Sequence, residues 1–196
     1  MTKRKKHLLT QLSRADIVTL LAVGLIVSAF WLLFNGHTSL AIAIAFVSTF
    51  LDYLDGVVAR HYGGSPYGKV LDSLYDMLGW VLFPATVINI QADWTWWSIF
   101  ITTLFCLSAT LRLSRFTVDG YEESADNRYY IGLPVLFSKY ALLVALLTNG
   151  SISLIILTIM IPLMISSKPI RKPHAFTAQI ELFYAVIFLG LYLYHG

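Results

Sequence analysis

Apolar runs recur along almost the whole chain, separated by short polar breaks. Several approach the roughly 20 residues that a helix needs to cross a hydrocarbon core about 30 Å thick. The breaks hold residues that end helices: Asn35-Gly36, Gly63-Gly64-Ser65-Pro66, Asn149-Gly150, and the polar, proline-containing stretch from Lys168 to Pro173. The pattern predicts helices near 16–35, 38–62, 66–91, 95–116, 132–149, 151–167 and 177–194. The 151–167 run is short enough to be tilted or partly re-entrant. The expected fold class is an all-α polytopic membrane protein, a bundle of about six to seven transmembrane helices.

Residues 1–15 stand apart. Lys3, Arg4, Lys5 and Lys6 beside Leu8, Leu9 and Leu12 fit either a short interfacial helix on an anionic leaflet or a basic tail that sets orientation. No small-residue cleavage site follows the first apolar run, so this segment is expected to be retained. Residues 16–196 then form a single transmembrane domain.

Composition sharpens the class. The chain is 57% hydrophobic and 13% charged, where soluble domains hold about 45–50% and about 25%. That leaves no room for a separate soluble domain, and no nucleic-acid partner is expected. With a cytoplasmic N-terminus, all 14 Lys and Arg residues fall in or beside inner-side segments, as the positive-inside rule asks. Trp94, Trp96 and Trp97 at an outer turn read as an interfacial aromatic belt. A lone Cys106 excludes an internal disulfide.

Against this background four acids stand out. On the second helix Asp52, Asp55, Gly56 and Ala59 follow the spacing i, i+3, i+4, i+7, which is one face. On the third, Gly68, Asp72 and Asp76 follow i, i+4, i+8. The turn between the two helices is short, so they are antiparallel neighbours and their acidic faces can meet. Four ionised aspartates near mid-bilayer would cost about 10–14 kcal/mol if nothing compensated them. Hard oxygen donors in this number suit Mg²⁺, Mn²⁺ or Ca²⁺ and disfavour zinc. Two divalent ions about 3.5–4 Å apart would clamp the entering and leaving oxygens of a phosphoryl displacement. Gly56, Ala59 and Gly68 leave space where a bulky side chain would fill the same site.

The run LDYLDGVVARHYGGSPYGKVLDSLYDMLGW resembles the signature of the CDP-alcohol phosphotransferase (CDP-alcohol phosphatidyltransferase class I) family, Asp-x2-Asp-Gly-x2-Ala-Arg-x8-Gly-x3-Asp-x3-Asp. All eight fixed positions are present as Asp52, Asp55, Gly56, Ala59, Arg60, Gly68, Asp72 and Asp76. Seven residues rather than eight separate Arg60 from Gly68, a deletion that falls in the turn. The resemblance implies that the four aspartates hold two divalent cations, Mg²⁺ or Mn²⁺. It further implies that Asp76 is also the general base, and that Gly56, Ala59, Arg60 and Gly68 line the CDP site. It makes residues 16–196 a catalytic domain, with a homodimeric assembly and CDP-diacylglycerol as donor.

LDSLYDMLGWVLFPA, LRLSRFTV and YYIGLP are similar to stretches of bacterial and archaeal phosphatidylserine synthases, which implies L-serine as the acceptor. Gly79, Trp80, Ser114 and Thr117 depart from that subtype. Arg112 and Arg115, one turn apart, are candidates for binding the serine carboxylate or a lipid phosphate. The location implied is a prokaryotic plasma membrane, with the N-terminus and active site on the cytoplasmic side.

Two other readings compete. Glycerol 3-phosphate or an inositol phosphate could serve as acceptor in the same chemistry, with Arg112, Arg115 and Lys139 meeting the extra phosphate. A divalent-cation transporter would also bury acids, but it needs polar residues through the outer halves of the second and third helices. There FVSTF and LFPATVIN are mostly apolar.

Overall fold

The computed structural model describes residues 11–120, 122–124, 127–148, 150–171, 183–184, 186–187 and 190. The chain divides into two compact units, Met1–Tyr75 with Thr177–Gly196, and Asp76–Phe176.

The first unit is built on α1 (Arg14–Phe34), α2 (Thr38–Tyr62) and α3 (Gly68–Asp76), whose last residue, Asp76, already belongs to the second unit. Ser13 begins α1 with a capping box. Its hydroxyl accepts from the Asp16 N–H at 3.2 Å, and the Asp16 carboxylate accepts from the Ser13 N–H at 2.6 Å. Two of the donors that a helix start leaves over are thereby satisfied. Ala15, Ala22 and Ala29 recur every seven residues on the buried stripe of α1, and Ala41 and Ala45 are buried on α2. Small residues let helix backbones approach closely, which matters where lipid removes the hydrophobic drive for association. The approach is close enough for the Ser48 hydroxyl on α2 to donate to the Ala22 carbonyl on α1 at 2.7 Å. The hydroxyl of Tyr75 on α3, a fully buried residue, lies 3.0 Å from that of Ser48 and donates to Thr49 at 3.4 Å.

In the second unit the helical run loosens into a π-helical turn over Met77–Leu82 and resumes as α4 (Phe83–Gln91). Pro84 has no N–H to offer the Trp80 carbonyl four residues back. The Ser138 hydroxyl donates to that carbonyl instead. Beyond α4 lie α5 (Trp96–Asp119), a 3-10 turn at Val135–Phe137, α6 (Ser138–Leu147) and α7 (Ser151–Ile165). α5 packs along α7, and α6 packs against α4 and α7. Phe105, Ala109, Ala141, Leu157, Met160 and Met164 centre the core.

Four helical segments among the described residues are long and apolar enough to cross a membrane: Arg14–Phe34, Thr38–Tyr62, Gly68–Gln91 and Trp96–Asp119; α6 and α7 are shorter. Large apolar side chains face outward along these helices, among them Leu21, Trp31, Phe100, Leu107, Leu111 and Ile155. Such surfaces require lipid rather than water. The protein is an all-α polytopic membrane protein, as expected.

The loops hold structure that the sequence pattern did not announce. β1 (Glu122–Ser124), β2 (Asn127–Ile131) and β3 (Pro169–Arg171) form a small antiparallel sheet in the order β1-β2-β3. Glu122 stands opposite Tyr129, and Tyr129 opposite Arg171. Strands this short carry too little alternation to be read. The helix expected from 132 starts only at Ser138, because β2 runs to Ile131 and Gly132-Leu133-Pro134 follows it. The reading of 1–15 as an interfacial helix or tail falls mostly outside the described residues, as does the helix expected at 177–194 apart from the helical residues 183–184, 186–187 and 190.

Gly132 sits at φ +74°, and a Cβ there would run into the carbonyls of Met164 and Ser166. Gly132→Ala should therefore destabilise the protein by about 1–3 kcal/mol, read as a lowered midpoint of thermal unfolding in detergent. Gly24→Ala on α1, where a Cβ meets nothing within 4 Å, should leave the midpoint unchanged or slightly raised.

Candidate functional site

In the first unit α2 carries Asp52 and Asp55 one turn apart, and α3 carries Asp72. One carboxylate oxygen from each lies within 4.8 Å of the others. Asp55 is buried, while Asp52 and Asp72 are half-buried. Like charges at such a separation repel by roughly 3 kcal/mol per pair at an effective dielectric constant near 20. The trio therefore calls for a compensating positive charge. The donors are all carboxylate oxygens, which suits a hard divalent cation such as Mg²⁺ or Mn²⁺ and fits the group the sequence implies. Asp76, the last residue of α3, follows Asp72 by one helical turn.

The small residues of the signature have identifiable neighbours. A Cβ on Gly56 would sit 3.4 Å from Nη1 of Arg60, so the guanidinium lies over the bare backbone at this glycine. Ala59 faces the turn at Gly64, where an added Cβ would lie 4.0 Å from the Ala59 Cβ. At Gly68 an added Cβ would sit 3.4 Å from Oδ1 of Asp16. The stretch of α2 before Ser48 carries no ionisable side chain, and Ala41, Ile42, Ala45 and Phe46 there are buried. The acidic cluster is thus confined to one half of the helix, and a continuous polar path along α2 is lacking.

The sequence reading missed the contribution of α1. Asp16 and Thr19 are buried on its inward stripe, and the Thr19 hydroxyl donates to Oδ2 of Asp55. Two polar residues placed between Ala15 and Ala22 on a stripe otherwise small or apolar were the available signal.

The family model for CDP-alcohol phosphatidyltransferases matches residues 12–194. The chain belongs to this family. It is 29% identical over 137 residues to the CDP-diacylglycerol–serine O-phosphatidyltransferase of Bacillus subtilis, covering 68% of this chain and 75% of the relative. It is 30% identical over 169 residues to the Mycobacterium leprae protein of the same name, covering 77% and 55%. With the archaetidylserine synthase of Methanothermobacter thermautotrophicus it shares 32% over 105 residues, covering 52% and 43%. The chain therefore spans three quarters of the first relative's length and about half of the other two.

In the second unit of this CDP-alcohol phosphatidyltransferase the two candidate arginines behave differently. Arg115 donates to the carbonyls of Ser166 at 3.1 Å and Ile165 at 3.2 Å. It so serves acceptors that the end of α7 leaves over, at the negative pole of the helix. Arg112 is buried, with its guanidinium carbon 5.2 Å from the ring centroids of both Phe116 and Tyr130. Aromatic faces stabilise a cation in this position. Lys139 is also buried, its ammonium 6.0 Å from the Trp80 ring and 5.7 Å from that of Tyr140.

If the trio holds a cation, Asp52→Asn and Asp72→Asn should each weaken Mn²⁺ binding by tenfold or more, since each removes a ligand charge. Electron paramagnetic resonance of free Mn²⁺ reads this in detergent, with monodisperse elution as the control for folding. Chelation should abolish turnover of the wild type, and added Mg²⁺ or Mn²⁺ should restore it.

Proposed function

We propose that this phosphatidyltransferase transfers the phosphatidyl group of CDP-diacylglycerol to L-serine, releasing CMP. The observation that carries this reading is the convergence of Asp52, Asp55 and Asp72 inside the family signature. Relatives named for serine as acceptor support the choice of alcohol.

Asp52, Asp55, Asp72 and Asp76 would hold two divalent cations, Mg²⁺ or Mn²⁺, whose charge when bound offsets that of the donor pyrophosphate. Gly56, Ala59 and Gly68 would line the nucleotide site, where the absence of bulky side chains lets a ligand approach the backbone once the flexible neighbours over Gly56 and Gly68 give way. Arg60, whose guanidinium lies over Gly56, would pair with a phosphate oxygen of the donor. A carboxylate oxygen of Asp76 accepts the proton of the serine hydroxyl as the serine oxygen bonds to the β-phosphorus. The bond from this phosphorus to the bridging oxygen breaks, and CMP departs with the electron pair.

Serine is favoured over a phosphate-bearing acceptor on the supply of cations. Arg115 already serves the carbonyls that end α7, which leaves fewer positive groups for an additional phosphate. The distribution of Lys and Arg supports a cytoplasmic N-terminus and active site, and the bacterial and archaeal relatives favour a prokaryotic plasma membrane. Family likeness favours a homodimer.

Labelled CDP-diacylglycerol offered with serine, glycerol 3-phosphate or inositol phosphates should give labelled lipid with serine. Product from another acceptor and none from serine would overturn the choice of alcohol. Asp76→Asn should lower kcat by at least about 100-fold, the contribution of a positioned base, with the protein still folded. Substantial residual turnover would remove Asp76 from that role.

A further inference from the structure

The first helix holds no part of the family signature, yet it reaches the carboxylates. Thr19 is buried, and its hydroxyl has two acceptors within range: Oδ2 of Asp55, and the Ala15 carbonyl at 3.2 Å. A hydroxyl has one proton to give. An ionised carboxylate binds that proton more strongly than a neutral carbonyl does, so a charged Asp55 takes it. The terminal torsion of an aspartate is broad and does not fix the carboxylate plane. A buried donor on a neighbouring helix does.

Thr19 is itself held from both sides. The capping box at Ser13 and Asp16 sets the start of α1 one turn earlier, and the bond from Ser48 to the Ala22 carbonyl fixes α1 against α2 one turn later. We infer that Thr19 is a positioning residue for the metal site, orienting the Asp55 carboxylate. The inference rests on the reading of the carboxylates as cation ligands.

Partners that orient metal ligands typically cost 10–100-fold in metal affinity or activity when removed. The test is Mn²⁺ affinity of the full chain in detergent, by electron paramagnetic resonance, for wild type, Thr19→Val, Thr19→Ser and Asp72→Asn. Thr19→Val should raise the Kd for Mn²⁺ about tenfold, and its turnover should recover as Mg²⁺ is raised. Thr19→Ser, which keeps the hydroxyl, should stay close to wild type. Where Thr19→Val does not fold, Thr19→Ala carries the same comparison. A rise of less than about threefold without the hydroxyl, or an equal loss in Thr19→Ser, overturns the role of Thr19. If Asp72→Asn nonetheless loses Mn²⁺, the metal site itself stands. A wild type that binds no Mn²⁺ overturns the metal reading and this inference with it.

Discussion

Carboxylates that share a small volume inside an apolar bundle repel one another while giving up their hydration, and the first unit is organised around that pair of penalties. Asp52, Asp55 and Asp72 lie too close together to be indifferent to each other's charge. The polar layer beside them has the same origin. Thr19, Ser48, Thr49 and Tyr75 are buried hydroxyl residues, each within hydrogen-bonding reach of a carboxylate, a main-chain carbonyl or another hydroxyl. In hydrocarbon such groups are tolerated only when partnered. The alanines on α1 and α2 make this possible by bringing the two backbones near enough for side chain to meet main chain.

Much of this was legible in the residues. Helix positions followed from the lengths of apolar runs, and the meeting of Asp52 and Asp55 with Asp72 followed from helical spacing across a short turn. Legibility ended where one residue's environment depends on a segment distant in sequence. Thr19 and Asp16 looked like ordinary entries to a first span, because nothing local says which stripe of α1 faces α2. The π-helical turn at Met77–Leu82 left the apolar pattern intact, since a helix with one widened turn still reads as a run of apolar residues. The strands β1 to β3 were invisible because they pair through the main chain, and β2 and β3 are separated by two helices in the sequence.

The second unit treats its cations as structural material as much as chemistry. Arg115 ties the end of α5 to the end of α7, and Arg112 lies between aromatic rings of α5 and β2. Sequence spacing had paired these two arginines on one face with one shared purpose. Their surroundings separate them, since one guanidinium meets carbonyl oxygens and the other meets ring faces.

The sheet has a consequence for which positions tolerate substitution. β2 and Gly132 engage the segment that follows α7 largely through peptide groups, including the bond from the Gly132 N–H to the Lys168 carbonyl at 3.0 Å. Peptide groups are the same whatever side chain is attached. Outward positions on these strands can thus exchange one amino acid for another while the ribbon keeps its path. Such a ribbon can change its surface chemistry by substitution alone, leaving the helices on either side of it undisturbed.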